Sequence, residues 1–234
     1  MGKVVVVTGG SKGIGRAICL KFLSNGYQVI TCGRSLESLK ELKEQVGSDL
    51  GKKILVCAAD VSKKEDVKTF IDFIQKNTKK VDVLVNNAGM YIPGQILKED
   101  EDVFEKTLET NLYSAYYLTR GLISLVQNSE QADVFNICST ASIMPYENGG
   151  SYCISKYALY GMTKVLREEL KEEGVRVTAV LPGATFTSSW DGVDLPEDRF
   201  MKSEDVADSI WSAHQLSRNT VVEEILIRPQ LGDI

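Results

Sequence analysis

The sequence predicts an α/β fold: one doubly wound, parallel sheet of about seven strands with helices on both faces. Two observations predict it. Short β-branched runs alternate with amphipathic helical patterns along all 234 residues, and the first run ends in a glycine-rich turn that leads into a helix. No Pro/Gly/Ser-rich linker, internal repeat or low-complexity tract divides the chain. We therefore expect a single domain over residues 1–234.

Composition excludes several classes of function. The formal net charge is −5 with no basic block, which argues against nucleic acid or an anionic membrane surface as a partner. No apolar run approaches about 18 residues, and no signal peptide is apparent, so we expect no membrane span and a cytoplasmic location. The five cysteines form no C-x-x-C pair, and the one histidine, His214, cannot alone build a histidine metal site or a Ser-His-Asp triad. We expect no metal.

The first strand, 3–7, runs into a turn that reads Thr-Gly-Gly-Ser-Lys-Gly-Ile-Gly over residues 8–15. A helical pattern follows directly. Glycines allow backbone amides to approach a pyrophosphate, and a helix N-terminus adds partial positive charge. The predicted phosphate-binding residues are Gly9, Ser11, Lys12, Gly13, Ile14 and Gly15.

The residues at the end of the second strand, 27–32, indicate whether NAD or NADP(H) is the cofactor. A dinucleotide fold specific for NAD places an acid about 20 residues beyond the glycines, whereas this region reads Cys32-Gly33-Arg34-Ser35. Arg34 and Lys12 are placed to meet a 2′-phosphate, which favours NADP(H). The alternative is a pair of solvated surface cations.

The next elements are a helix over 35–46, a third strand over 53–59, an amphipathic helix containing Val67 to Ile74, and a fourth strand over 81–85. Asp60 and Val61 end the third strand, where Asp60 or Ser62 could also cap the following helix. Asn86-Asn87-Ala88-Gly89 ends the fourth strand. Paired asparagines can tie neighbouring strands together, and the small Ala88 and Gly89 let a cofactor lie close.

One long helix is predicted over 101–127, and Asn111 interrupts its apolar face. Asn111 could be a bonded core amide. A strand over 133–138 then leads to Ser139, and the loop 141–150 brings Met144, Pro145 and Tyr146 to the pocket side. The segment from Ala184 to Lys202 follows the sixth strand, 175–181, and has no clear periodicity. We predict that it forms a lid bearing Phe186 and Trp190. The chain ends in a helix over 203–216, capped by Ser203, and a strand over 223–228.

Two Tyr-x-x-x-Lys pairs occur on the helix after the loop 141–150. Tyr152 and Lys156 would share one helix face, and a nearby ammonium favours the tyrosinate, lowering a pKa that is ordinarily about 10. Tyr160 and Lys164 repeat the spacing but are rotated by about 80°. Ser139 lies thirteen residues before Tyr152, whereas a glutamate occupies the matching position before Tyr160, so the first pair is the candidate general acid/base.

With Asn111, these residues give Asn, Ser, Tyr and Lys in chain order, and here the sequence resembles the short-chain dehydrogenase/reductase family. The resemblance implies a catalytic tetrad of Asn111, Ser139, Tyr152 and Lys156. It spans the chain from Thr8 to the last strand. Cys138 replaces a second serine found in many relatives, and the last strand lacks their usual Val-Asp-Gly-Gly-like ending.

The resemblance also implies roles. Asn111 would support a water relay, Lys156 would hold the nicotinamide ribose and lower the tyrosine pKa, and Asp60-Val61 would touch the adenine. The residues implied near the nicotinamide are Pro182, Gly183, Thr185 and Thr187, with Thr187 bonding the carboxamide. Family members pair their long helices, so a homodimer or homotetramer is expected.

The sequence thus predicts an NADP(H)-dependent carbonyl reductase or alcohol dehydrogenase acting on a small molecule. A nucleotide-binding regulator without turnover would need the glycine turn but not Tyr152. A methyltransferase on a related sheet would explain neither Tyr152 with Lys156 nor the Asn-Asn-Ala-Gly segment.

Overall fold

A computed structural model describes residues 2–190, 192 and 194–232. Seven strands form one sheet in the order 3-2-1-4-5-6-7, and every neighbouring pair is parallel. The strands are β1 (Val4–Thr8), β2 (Gln28–Gly33), β3 (Ile54–Ala58), β4 (Val83–Asn86), β5 (Asp133–Ile137), β6 (Arg176–Pro182) and β7 (Glu224–Ile227). The predicted doubly wound sheet is confirmed.

Helices cover both faces of the sheet because its central strands are apolar on both sides. In β1, Val5 and Val7 face one hydrophobic cluster, while Val4 and Val6 face another. The helices are α1 (Gly13–Ser24), α2 (Leu36–Gln45), α3 (Ser48–Gly51), α4 (Lys64–Asn77), α5 (Val103–Leu108), α6 (Ser114–Gln127), α7 (Gly150–Leu170) and α8 (Ser203–Gln215). Helices α1 and α8 supply the first cluster, and α4 and α6 the second. Among the described residues, none of these helices has the length and apolarity required to span a bilayer.

The helix predicted over 101–127 is interrupted. Between α5 and α6 lies a π-helical turn, Glu109–Tyr113, and Asn111 sits in it, 1% exposed. A π turn inserts one extra residue into the helix and often occurs at functional sites. Here it carries Asn111 inwards beneath the carboxyl end of β4.

Two predicted helix caps are wrong. Ser203 is the first residue of α8 rather than its cap, and its hydroxyl donates to the Phe186 carbonyl at 3.3 Å. Asp60 accepts from the backbone N–H and hydroxyl of Ser62, at 3.2 and 2.8 Å, and Lys63 precedes α4 without a side-chain cap. Asp60 thus closes a local turn with Ser62, and Ser203 bonds the preceding loop, so neither side chain is left to cap a helix.

The amino-terminal edge of the sheet carries a buried ion network centred on Asp133. Arg176 donates to both carboxylate oxygens at 2.7 Å, and Arg218 donates to one at 2.8 Å. His214 Nδ1 lies 2.5 Å from the same carboxylate, and its Nε2 lies 2.6 Å from the Tyr27 hydroxyl. Burial acts to raise the pKa of Asp133, but hydrogen bonds from the two arginines and His214 outweigh it and hold that pKa below its usual range. The network fastens β2, β5, β6 and the end of α8 together.

Candidate active site

A cavity of about 1000 Å³ opens at the carboxyl ends of the strands, where the strand order reverses between β1 and β4. This is the usual ligand position in an open parallel sheet. Every predicted cofactor contact lines it: Gly9, Ser11, Lys12, Gly13, Ile14, Gly15, Arg34, Asp60, Val61, Asn87, Ala88, Gly89, Tyr152, Lys156, Pro182, Gly183, Thr185 and Thr187. Ser139 lines it as well, whereas Asn111 lies behind the wall.

The glycine turn has a shape that side chains would block. Gly9 and Gly13 have φ values of +71° and +53°, which favour glycine. A Cβ on Gly15 would lie 2.3 Å from the Gly9 carbonyl oxygen and 2.4 Å from Asn87 Nδ2. The hydroxyl of Thr8 accepts from the backbone N–H groups of Asn87 and Ala88, both at 2.9 Å, and so fixes the turn to the end of β4.

Helix α1 begins directly at this turn, with no side-chain cap and no acid in its first turn. Its first backbone N–H groups therefore keep their capacity to bind an anion. Lys12 and Arg34 line the same end of the cavity, next to Gly33, where an NAD-specific fold would carry an acid. The described residues fit a dinucleotide with an additional phosphate.

Tyr152 projects from the first turn of α7 towards Ser139, which follows β5. Burial raises the pKa of Tyr152 to about 12, although hydrogen bonding to the Ser139 side chain acts in the opposite direction. The prediction that Lys156 lowers this pKa is wrong for the protein alone, because desolvation of the phenolate is the larger effect. The phenol is therefore protonated at neutral pH.

Lys156 lies one turn further along α7 and is 4% exposed. Its Nζ donates to the Ile137 carbonyl at 2.8 Å and lies 5.8 Å from the centroid of the Tyr152 ring. Burial lowers the pKa of Lys156 to about 8. A Cβ on Gly89 would lie 3.4 Å from this nitrogen, so the glycine keeps the space beside it open.

Asn111 is a bonded core amide. Its Nδ2 donates to the Met90 carbonyl at 3.0 Å and to the Ser155 hydroxyl at 2.9 Å, and its Oδ1 accepts from the Met90 N–H at 2.8 Å. Both amide hydrogens are thus used within the protein. The side chain joins α7 to the residue after Asn-Asn-Ala-Gly, and only its carbonyl oxygen retains a lone pair for a water.

The second Tyr-x-x-x-Lys pair lies outside the cavity lining. Tyr160 donates to a carboxylate oxygen of Glu224 on β7, and the Lys164 ammonium lies 4.1 Å from the centroid of the Tyr160 ring. The ring of Tyr160 packs against a small hydrophobic cluster that includes Ala115 of α6 and Leu181 of β6, while its hydroxyl reaches the edge strand. The rotation of about 80° along the helix accounts for the different surroundings of the two tyrosines.

Sequence reasoning missed part of the cavity wall beside Tyr152. We name this region the Tyr152 end; it includes Met90, Tyr91, Lys106, Glu109, Met144, Tyr146, Glu147 and Trp190. Met144, Tyr146 and Trp190 lie in segments predicted to face the pocket, but Tyr91, Lys106 and Glu109 were not. Tyr91 follows Asn-Asn-Ala-Gly by only one residue, and that proximity to a strand end was a usable signal.

In its described residues, the segment 184–202 contains two short 3₁₀ turns, Ser188–Trp190 and Glu197–Arg199. Its ends are joined, because Phe186 donates its N–H to the Met201 carbonyl at 2.8 Å and Met201 donates to Ala184 at 3.0 Å. The rings of Phe186 and Trp190 pack on Phe200, with centroids 5.8 and 5.0 Å away. Asp191 and Val193 lie outside the described residues. Trp190 also lines the cavity, as the lid hypothesis requires.

Comparison with known proteins gives one family. A family model described as short chain dehydrogenase matches residues 3–197. The chain is 33% identical over 245 residues to a sepiapterin reductase of Chlorobaculum tepidum, covering all of this chain and 99% of the relative. It is 32% identical over 204 residues to 3beta-hydroxysteroid dehydrogenase 2 of Eggerthella lenta, covering 86% of this chain and 77% of that one.

A solved structure has the same fold. The alcohol dehydrogenase of the archaeon Thermococcus sibiricus, complexed with 5-hydroxy-NADP, superposes with a TM-score of 0.90 at 25% sequence identity. The match covers 97% of each chain. The whole of the sheet and its helices is therefore shared.

Proposed function

The chain belongs to the short-chain dehydrogenase family, and from that premise we propose how its site works. The protein is an NADP(H)-dependent oxidoreductase that interconverts a carbonyl and an alcohol. One observation carries the assignment of residues: Ser139, Tyr152 and Lys156 converge on one wall of a cavity whose other wall is the glycine turn.

The cavity fits the cofactor by shape and by charge. Glycine at position 15 leaves room that a Cβ would fill, the N-terminus of α1 is uncapped, and Lys12 with Arg34 can meet a 2′-phosphate. The 5-hydroxy-NADP complex of the archaeal alcohol dehydrogenase supports the same choice. When bound, the nicotinamide supplies a hydride to the carbonyl carbon, or accepts one from the alcohol.

Tyr152 acts as the general acid in reduction. Its hydroxyl donates a proton to the carbonyl oxygen as that oxygen becomes an alkoxide, and Ser139 hydrogen-bonds the same oxygen. The raised pKa of Tyr152 means that the proton is present on the free enzyme at neutral pH. In the oxidative direction the tyrosinate removes the alcohol proton.

Lys156 would hold the nicotinamide ribose and would stabilise the tyrosinate that forms as the proton leaves. Its ammonium is already oriented by the Ile137 carbonyl. Asn111 hydrogen-bonds Met90, which follows β4, and Ser155 on the catalytic helix α7. It thereby holds these two segments in position relative to each other. Any water relay at Asn111 would use its remaining oxygen lone pair or its backbone.

The test is NADPH oxidation with a panel of carbonyl compounds, run also in reverse with NADP⁺ and the corresponding alcohols. The panel includes sepiapterin and a 3-ketosteroid, chosen from the names of the two relatives. We expect turnover with at least one carbonyl. NADPH binding without turnover across the panel would favour the nucleotide-binding regulator instead.

We also propose that the chain is one domain and forms a homo-oligomer through its long helices. Exposed apolar side chains lie along them: Phe104, Tyr113, Tyr116, Ile154, Tyr157 and Val165. Sedimentation at micromolar concentration should show a dimer or tetramer, and a monomer would contradict this. All five cysteines are free thiols, which supports a reducing, cytoplasmic location.

A further inference from the structure

Two tyrosines at the Tyr152 end have no part in the proton transfer. The ring of Tyr91 packs edge to face on the ring of Tyr152, with centroids 5.0 Å apart and an angle of 73°. The ring of Tyr146 lies 6.4 Å from that of Tyr91, at an angle of 58°. Both side chains line the cavity and remain partly exposed, 38% for Tyr91 and 47% for Tyr146.

The hydroxyl group of Tyr91 is occupied by the protein. It donates to the Asn148 carbonyl at 3.4 Å. Burial raises the pKa of both tyrosines, so both are neutral phenols at physiological pH. At these two residues a ligand therefore meets the faces and edges of uncharged rings.

Three further side chains of this wall are apolar or aromatic. Met144 and Pro145 come from the loop before α7, and Trp190 comes from the segment 184–202. Among the described residues of this end, the charged side chains are Lys106, Glu109 and Glu147, and Lys106 is paired with Asp102. These charges carry no net positive excess, so they favour a neutral substrate over one that bears a phosphate or a carboxylate.

We propose that Tyr91 and Tyr146 are specificity-determining residues that select carbonyl substrates bearing a planar aromatic ring next to the reacting carbonyl. This rests on the proposed function and names its substrate class. The tilt between the two rings forms an angled wall, and a flat ring lying against it can make edge-to-face or offset-stacked contacts. Such a contact is worth roughly a two- to tenfold change in affinity beyond burial of area alone.

An apolar wall could also accept a saturated ring, and a matched pair of diones separates the two possibilities. 1-Phenyl-1,2-propanedione and 1-cyclohexyl-1,2-propanedione share the dione and differ in the planarity of the ring. We expect kcat/KM with NADPH to favour the phenyl compound by about two- to tenfold in the native protein. Equal values, or a preference for the cyclohexyl compound, would overturn the proposal without any variant.

Variants of Tyr146 test whether this ring causes the preference for the phenyl compound. Tyr146→Leu removes the ring and should reduce the phenyl/cyclohexyl ratio to near one, while NADPH affinity, measured by fluorescence titration, stays within about twofold. Tyr146→Phe keeps the ring and should keep the ratio. A Tyr146→Leu protein that binds NADPH and retains the full ratio would show that this ring does not select the substrate.

The outcomes also separate this proposal from the function on which it rests. Absence of NADPH binding and of turnover across the whole carbonyl panel would defeat the proposed function. If NADPH binds but neither dione is reduced, the dissociation constants of the two diones for the NADPH complex are compared by calorimetry. Equal constants would overturn the aromatic selection, and a preference of about two- to tenfold for the phenyl compound would support it.

Discussion

Lys156 places its ammonium 5.8 Å from the ring centroid of Tyr152, and it donates to the Ile137 carbonyl. Lys156 is buried and Tyr152 is partly exposed to the cavity, and desolvation acts oppositely on them: it raises the pKa of the phenol to about 12 and lowers that of the ammonium to about 8. The free enzyme near neutral pH thus has a protonated acid beside a cation that is close to losing its proton.

The pH dependence of cofactor capture follows from Lys156. Its lowered pKa means that the cation is present below about pH 8 and is lost above it. Because kcat/KM reports groups of the free enzyme, kcat/KM for NADPH should fall above about pH 8, by up to tenfold per pH unit. The Lys156→Arg variant stays charged over this pH range, so its kcat/KM for NADPH should not fall above about pH 8, although its absolute rate should be lower. Initial rates between about pH 6 and pH 10 test this; a native profile that stays flat would contradict it.

Tyr152→Phe removes the proton donor and leaves the ring. The turnover rate should fall by about 10²- to 10⁴-fold, which is the usual contribution of a general acid. NADPH affinity should be preserved. Tyr160→Phe is the matched control on the same helix, because that hydroxyl bonds Glu224 outside the cavity lining; it should keep most of the activity. Similar losses in both variants would mean that the wrong face of α7 has been chosen.

Arg34→Asp exchanges a cation at the predicted 2′-phosphate position for an anion. The ratio of kcat/KM for NADPH to that for NADH should fall, because the variant loses an attraction and gains a repulsion. Steady-state rates with both cofactors measure it. An unchanged ratio would remove Arg34 from cofactor selection.

Asp133→Asn should destabilise the fold by about 3–5 kcal/mol at pH 7, because it leaves buried cations without their carboxylate. The folded-state pKa of Asp133 is lowered, so its contribution is present above the unfolded value of about 4 and is lost as the pH falls through the folded value. Urea unfolding should therefore show the two proteins converging below about pH 4. Asp49→Asn, at an exposed pair with Lys52, is the control and should leave the midpoint unchanged. A constant difference down to low pH would contradict the assignment.

Limited trypsin digestion tests closure of the segment 184–202 over the cavity. Arg199 and Lys202 lie at its end, and Trp190 lines the cavity. We expect rapid cleavage in the free protein and strongly slowed cleavage with NADP⁺ and a competent alcohol, because ligands would dock the segment and exclude water. Equal rates with and without ligands would indicate a static surface loop.

The parts of the site that follow directly from sequence are local. Gly9, Gly13 and Gly15 act through backbone shape within one turn, and Tyr152 and Lys156 are one helical turn apart, so spacing alone predicts their relation. The alternation of strands and helices is also a local sequence pattern, and it was sufficient to predict the doubly wound parallel sheet.

The features that residue spacing could not predict depend on contacts between segments that are distant in the chain. Tyr91 and Tyr146 lie 55 residues apart in the chain and meet only because their loops fold over the same strand ends. The pKa of Tyr152 was predicted in the wrong direction because its burial comes from neighbours on other elements, including Tyr91. Ser203 has the composition of a cap, yet a carbonyl from the preceding loop takes its hydroxyl.

The Asp133 network and the cavity occupy opposite edges of one sheet. Anchoring is concentrated where the strands begin, and the loops that would distinguish one substrate from another follow the strand ends. For protein engineering, this arrangement means that Tyr91, Met144 and Tyr146 can be exchanged without disturbing the ion network. A library built on these three positions should yield altered substrate ranges in variants that melt close to the parent temperature.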